Sequence, residues 1–207
     1  DSYQEDETTD FHTMVSEMAD IPRKQAKTIN LGLFYGMGKG KLMSQLGVNL
    51  ETASELLASY NERVPFVKQL MNDTMNKAGK KGYLSTLEGR RCRFDQWEPT
   101  NEWGQKSLPL AEAQQQYGEH MIKRAWTYKA LNRLIQGSAA DQTKKAMLEL
   151  DKEGYLAHIQ VHDELDFSVA TDADKARIKD IMENCVELSV PSKVDVECGD
   201  NWGDAGD

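Results

Sequence analysis

The sequence predicts an α+β fold that is mostly helical and contains a small amount of antiparallel sheet. Apolar residues recur at helical spacing through much of the first 78 residues. Between residues 157 and 169 they instead alternate on both sides of a short acidic turn, which predicts a hairpin of two strands. A lysine- and glycine-rich break at 79–82 separates the helical region from a second candidate hairpin.

Composition excludes several classes of protein. The chain of 207 residues has no apolar run of membrane-spanning length and does not open on a signal peptide, so we expect a soluble, cytoplasmic protein without a membrane partner. Its three cysteines are far apart and lack Cys-x-x-Cys spacing, which indicates reduced structural thiols. A net charge of -9 argues against a protein that simply coats DNA.

The distribution of charge is more informative than the total. Residues 21–50 contain five Lys or Arg and no acid, whereas the first ten and the last thirteen residues are rich in acids. A basic surface beside a carboxylate-rich one is typical of an enzyme that holds phosphates and metal ions together.

The basic region predicts a helix over 22–38. Asp20 is its expected cap, Pro22 suits its first turn, and glycines 36 and 38 can end it. Residues spaced four apart lie along one stripe of the helix surface. At 1.5 Å per residue this stripe is about 18 Å long, which is comparable with the length of an extended nucleoside triphosphate. Cations begin this stripe and apolar groups end it: Arg23, Lys27, Leu31 and Tyr35. The plain alternative is an amphipathic helix with two solvated cations.

The pattern Arg-x3-Lys-x7-Tyr-Gly resembles the nucleotide-binding helix in the fingers of family A DNA polymerases, the class of bacterial DNA polymerase I and many phage replicases. The resemblance implies that Arg23 and Lys27 bind the triphosphate of a dNTP, and that Lys27 can protonate the pyrophosphate. Leu31 and Tyr35 would contact sugar and base, although well-known relatives usually carry Phe or Tyr where Leu31 stands. His12 matches a histidine that contacts the incoming phosphates, or it is a surface histidine without a role.

Further helices are expected over 41–46, from Asn49, and over 64–78, followed by a hairpin at 83–94. The hairpin resembles the family's ribbon between fingers and palm, which implies that Arg90 and Arg91 touch the template backbone. Without that resemblance it is a solvated turn. Residues 95–108 do not predict regular structure, and the polar stretch 111–123 predicts a helix.

A second informative stretch follows Ala130. Asn132 and Gln136 are four residues apart on one predicted helical face, and their amides can donate to the minor-groove acceptors that every base pair offers. Such contacts test pair geometry at a primer terminus without reading sequence. The alternative is that the amides bond to neighbouring backbone, but Gln-Gly-Ser-Ala-Ala-Asp closely resembles the family's palm helix.

The third stretch is the acidic hairpin, in which Val-His-Asp-Glu-Leu lies between the two predicted strands. Adjacent Asp163 and Glu164 supply oxygen ligands suited to Mg²⁺, although an acidic turn alone is ordinary. These letters nearly match the family's catalytic palm turn, whose equivalent in single-subunit RNA polymerases generally ends with Ser. By this resemblance Asp163 and Glu164 are catalytic metal ligands for two Mg²⁺ ions, and His162 contacts DNA.

The chain then predicts a last helix after Thr171, a strand over 193–197 and an end that resembles the family's carboxyl terminus. The resemblance implies fingers in residues 1–125 and the carboxyl-terminal part of the palm in 126–207. It also implies an amino-terminal polymerase segment that carries the other catalytic aspartate, so the chain would resemble a split, processed or joined polymerase. Primer-template DNA and dNTP are the expected ligands. The alternative is a noncatalytic nucleic-acid-binding or assembly module that keeps the fold.

Overall fold

The computed structural model describes residues 10–34, 37, 39–101 and 104–205. The described chain divides into two compact units, residues 10–136 and the residues from Gly137 onward. This division falls inside a helix, Ala130–Lys152. Within the described residues the elements are helices and short antiparallel strands, which confirms the predicted α+β class. The subdomain boundary expected at 125/126 stays a prediction.

Five helices open the first unit: α1 (Phe11–Ala19), α2 (Arg23–Phe34), α3 (Lys39–Leu46), α4 (Leu50–Arg63) and α5 (Pro65–Lys81). Asp10 caps α1, because its carboxylate accepts hydrogen bonds from the backbone N–H groups of His12 and Thr13 at 3.4 and 3.0 Å. The expectation that Asp20 caps α2 is wrong. Asp20 ends α1 instead, in the left-handed conformation with φ 53°.

One apolar core joins these helices. Residues from α1, α2, α3, α4 and α5 are buried in it: Val15, Ala26, Ile29, Leu42, Tyr60 and Val67, with Val64 between the last two helices. The helical spacing of the sequence places these side chains on inner faces. Leu70, which the same spacing assigns to the core, is instead exposed.

The hairpin predicted over 83–94 is present as β1 (Tyr83–Ser85) paired with β2 (Arg91–Arg93). The sequence predicts no regular structure over 95–108, but part of this stretch forms strands. There β3 (Gln96–Pro99) pairs with β4 (Leu108–Pro109) and with β5 (Ile122–Arg124). The helix expected over 111–123 ends early: α6 is Leu110–Tyr117, and β5 follows. Non-local strand pairing produces both differences, and local patterns do not carry that information.

Arg124 connects this small sheet to the hairpin. Its Nη1 donates to the Phe94 carbonyl at 2.6 Å, and its guanidinium lies 4.6 Å from the Trp97 ring centroid. The guanidinium also fills the space beside Gly82, where a Cβ atom would approach Arg124 Cζ to 2.6 Å. Gly82 has φ 77°, so both its conformation and its surroundings require glycine.

A 3₁₀ turn (Thr127–Lys129) leads into α7 (Ala130–Lys152), whose later turns belong to the second unit. That unit also contains the hairpin of β6 (Ile159–Val161) and β7 (Glu164–Asp166), then α8 (Asp172–Asn184). Leu150, Ile178 and Ile181 form its buried cluster. The strand expected over 193–197 is wrong, because these residues pair with no strand among the described ones. None of the helices, within the described ranges, is long and apolar enough to cross a membrane.

Candidate functional site

The predicted stripe lies on the exposed face of α2. Arg23 and Lys27 are exposed, and Leu31 is 39% exposed, whereas Ala26 and Ile29 on the other side are buried in the core. In the part of the chain that the structure describes, Lys27 forms no ion pair with a carboxylate. The prediction for Tyr35 lies outside the described residues. Cations at the start of α2 and an apolar side chain one turn later are thus available to a ligand.

Arg23 is held in place by α1. Its Nε donates to Asp10 Oδ2 at 2.8 Å and to Thr13 Oγ1 at 3.1 Å, while the Thr13 hydroxyl donates to the same Asp10 oxygen at 2.6 Å. These contacts use Nε and leave the two terminal nitrogens of the guanidinium without a partner among the described residues. Terminal guanidinium nitrogens suit bidentate contacts with phosphate oxygens.

His12 lies in the first turn of α1, and its ring contacts a buried polar pair. Its Nδ1 is 3.1 Å from Asn30 Nδ2, and the Tyr60 hydroxyl donates to Asn30 Oδ1. Asn30 and Tyr60 are both 0% exposed. Because an amide or a hydroxyl is costly to bury without a partner, this chain of hydrogen bonds accounts for two polar groups inside an otherwise apolar core.

Charges and burial act together on this region. Burial lowers the pKa of His12 below its ordinary value of 6.5, the carboxylate of Asp10 opposes this shift, and the charges of Lys27 and Arg23 add to it. The hydrogen bond from Thr13, followed by that from Arg23, holds the pKa of Asp10 well below its usual range. The site therefore combines a neutral imidazole, two cations and an ionised carboxylate at neutral pH.

The acidic hairpin is the second candidate site, and it lies in the second unit. Val161 pairs with Glu164, so His162 and Asp163 form a two-residue turn. His162 has φ 55°, a conformation uncommon outside glycine, and its carbonyl accepts from Gln160 Nε2 at 3.2 Å. Asp163 and Glu164 are exposed at this tip. The turn therefore presents two adjacent carboxylates to solvent.

This donor set fits Mg²⁺, which prefers oxygen ligands, keeps several waters and takes only one or two protein carboxylates. Among the described residues there is no group of three or more His, Cys, Asp and Glu side chains placed to hold a metal ion. Asp163 and Glu164 can therefore supply two carboxylate ligands to such an ion.

The predicted DNA-contacting residues lie on α7, on the β1–β2 hairpin and, for His162, at the turn between β6 and β7. Asn132 is half-buried and Gln136 is exposed on α7, and no side-chain hydrogen bond joins either amide to another described residue. Arg90 and Arg91 are exposed on the β1–β2 hairpin, where the Arg91 guanidinium lies 4.8 Å from the Tyr83 ring centroid. These side chains are accessible, which is what a contact with DNA needs.

The structure brings His12, Arg23 and Lys27 together at the junction of α1 and α2. Sequence reasoning missed the roles of Asp10 and Thr13 as partners of Arg23, and it missed Asn30 and Tyr60 as partners of His12. One feature of the sequence could have indicated the buried polar pair. Asn30 is a polar residue directly after Ile29 on the inner face of a predicted helix, where an unpaired amide would be costly.

Comparisons with known proteins identify the family. A model of "DNA polymerase family A" matches residues 1–204. The chain is 38% identical to a DNA-directed DNA polymerase of Pseudomonas phage M6 over 98% of its own length and 32% of that protein. It is 33% identical to DNA polymerase I of Bacillus subtilis over 94% of its own length and 21% of that protein. The chain belongs to DNA polymerase family A.

A solved structure agrees with this assignment. The POL domain of Pol1 from M. smegmatis, in complex with DNA primer-template and dNTP, matches with a TM-score of 0.74 and 30% identity. The match covers 96% of this chain and 35% of that one. The chain thus spans about a third of the phage relative and about a fifth of the bacterial one.

Proposed function

We propose that this chain supplies the fingers and the carboxyl-terminal part of the palm for template-directed DNA synthesis. It would act together with an amino-terminal polymerase segment that carries the other catalytic aspartate. Family membership supports DNA synthesis, and the cations exposed on α2 are the observation that carries the proposal. The M. smegmatis relative binds primer-template DNA and dNTP, and we propose the same ligands here.

In this proposal α2 binds the nucleotide. The terminal nitrogens of Arg23 and the ammonium of Lys27 hold the triphosphate oxygens, while His12 donates to a further phosphate oxygen. Leu31 packs against the sugar, and Tyr35 contacts the base. The free ammonium of Lys27 is an acid that can give its proton to the pyrophosphate as it leaves.

The acidic hairpin holds the metal. Asp163, with Glu164 beside it, would ligate two Mg²⁺ ions jointly with the aspartate of the amino-terminal segment. Bound Mg²⁺ would lower the pKa of the primer 3′-hydroxyl and stabilise the charge of the leaving pyrophosphate. The 3′-oxygen then bonds to the α-phosphorus of the dNTP, its proton leaves, and the bond from that phosphorus to pyrophosphate breaks.

DNA contacts complete the proposal. The amides of Asn132 and Gln136 donate to minor-groove acceptors at the primer terminus, where they test pair geometry. His162 lies beside the metal ligands and would contact the primer, and Arg90 and Arg91 would contact template phosphates. These residues are exposed or half-buried, which supports the assignments.

An exposed apolar strand in the second unit supports the proposal that a further segment is required. Ile159 and Val161 on β6 are 42% and 37% exposed, and β6 pairs only with β7 among the described strands. An apolar strand with one unpaired edge is a surface that another strand can cover. We therefore propose that the amino-terminal segment packs against this hairpin.

Primer extension tests the proposal. The chain alone, the amino-terminal segment of a related phage polymerase alone, and their mixture are each given primer-template, dNTP and Mg²⁺. We expect extension only in the mixture, abolished by chelation and restored by added Mg²⁺. A mixture that binds primer-template but never extends it would favour the alternative, a noncatalytic nucleic-acid-binding or assembly module.

A further inference from the structure

The buried polar pair behind His12 carries an inference beyond the roles proposed above. Asn30 lies on α2 and Tyr60 on α4, and both side chains are enclosed by the apolar core of the first unit. Neither residue can touch a nucleotide from that position. Their hydrogen bonds must therefore matter either for folding alone or for the imidazole at the surface end of the chain.

The direction of each hydrogen bond follows from the chemistry of the groups. Burial raises the pKa of Tyr60 to about 12, so the phenol keeps its proton and donates to Asn30 Oδ1. This bond orients the amide so that Nδ2 faces His12 Nδ1 at 3.1 Å. An amide nitrogen only donates, and therefore Nδ1 must accept and carry no proton.

We propose that Asn30 and Tyr60 are positioning residues that hold His12 in the tautomer with its proton on Nε2, ready to donate to a phosphate oxygen. This inference rests on the proposed nucleotide site. His12 Nε2 has no hydrogen-bond partner among the described residues. The imidazole lies close enough to Arg23 and Lys27 to interact electrostatically with their charges. A donor fixed in this way loses little orientational freedom when the ligand binds.

The opposite tautomer would work against phosphate binding. With its proton on Nδ1, a neutral His12 would present the lone pair of Nε2 to an anion. The groups that surround the ring are Asp10 on the approach to α1, Arg23 and Lys27 on α2, and the neutral pair of Asn30 and Tyr60. Of these, the amide is the group in hydrogen-bond contact with Nδ1, so it selects the tautomer.

The tautomer can be read directly from imidazole ¹⁵N shifts of the whole chain, recorded well above the ordinary histidine pKa of about 6.5. The chain has four histidines, and a His12→Gln variant assigns the relevant pair of signals. We expect Nε2 to be protonated and Nδ1 to be the acceptor in the unsubstituted chain. A predominant Nδ1–H form there, or an even mixture, would overturn the inference.

Two variants change the amide or its orientation. In Asn30→Asp a carboxylate faces Nδ1 and can only accept, so we expect the proton to move to Nδ1. In Tyr60→Phe the amide loses its orienting donor, and we expect a mixture of tautomers. The control is Tyr117→Phe, which removes a hydroxyl bonded to the Lys106 carbonyl at 2.9 Å and should leave His12 unchanged. If Asn30→Asp fails to fold, Tyr60→Phe decides. An unchanged tautomer in the folded variants contradicts the proposal.

Inorganic triphosphate separates this inference from the proposed nucleotide site. We expect it to shift the His12 Nε2–H signal and to bind the Tyr60→Phe variant about fivefold more weakly, the effect of one hydrogen bond. Triphosphate that binds without moving this signal rules out phosphate donation by His12. If triphosphate does not bind the unsubstituted chain, the nucleotide site is wrong, while the ¹⁵N shifts still decide the relay.

Discussion

The two units differ in how complete their candidate sites are. In residues 10–136 the cations of α2 are backed by a closed apolar core, and Arg23 and His12 already have hydrogen-bond partners within the same unit. From Gly137 onward the carboxylates lie at the tip of a two-stranded hairpin whose apolar side chains are partly exposed. Under the proposed function, the phosphate-binding residues would be organised in advance within residues 10–136, whereas metal binding at the hairpin would depend on the amino-terminal segment.

The largest effect should come from the acidic hairpin. In the mixture with the amino-terminal segment, Asp163→Asn removes a proposed metal ligand, and we expect primer extension to slow about a thousandfold, equivalent to roughly 4 kcal/mol. Nucleotide binding to the chain should be unchanged. Glu187→Gln is the control, since it neutralises another exposed carboxylate of the same unit. Equal losses in both variants would point to a general effect of charge.

Truncation of a buried isoleucine in each unit compares how much core packing stabilises the two units. Ile29 on α2 is fully buried, whereas Ile181 on α8 is 7% exposed in a smaller cluster. We expect Ile29→Ala to cost about 4 kcal/mol and Ile181→Ala about 2 kcal/mol, near the two ends of the range for such truncations. Amide hydrogen exchange measures the free energy of opening in each unit separately. The reverse order would mean that the second unit is the more tightly packed.

A smaller effect is expected on DNA binding. Gln136→Ala removes one proposed minor-groove hydrogen bond, so primer-template affinity in the mixture should fall about fivefold, or roughly 1 kcal/mol. The loss should be the same for every terminal base pair, because the acceptor is common to all of them. Gln115→Ala, which removes an exposed glutamine of α6, should change nothing. A loss confined to certain base pairs would contradict a sequence-independent contact.

The smallest expected effect is a pH dependence at the proposed nucleotide site. Because burial lowers the pKa of His12, the unfolded chain binds more protons than the folded chain in the interval between the two pKa values. Stability therefore rises as pH increases through this interval and is lost as pH falls through it. Thermal melts across that range should give melting temperatures whose slope against pH differs between the unsubstituted chain and His12→Gln. Parallel slopes would show that His12 titrates normally.

Local patterns predicted much of this molecule. The cationic stripe of α2 and the carboxylates of the β6–β7 turn follow from spacing within a few residues, and both lie where the sequence places them. The pairing of β3 with β5 was not predictable in this way, because each strand depends on a partner about 25 residues away. The relay from Tyr60 to His12 crosses three helices, so only a folded core reveals it. Roles for individual residues come from the family resemblance and stay predictions.

A titration of the unmixed chain with a dNTP tests whether α2 binds phosphate without a further polymerase segment. We predict that the unsubstituted chain and Asp163→Asn bind the dNTP with the same affinity. Lys27→Ala should bind it at least tenfold more weakly, because a charge-assisted contact is lost. The control Lys24→Ala, one residue from Arg23, should bind it as the unsubstituted chain does. Binding that depends on Asp163 as strongly as on Lys27, or that fails in the unsubstituted chain, would contradict a phosphate site organised in advance within residues 10–136.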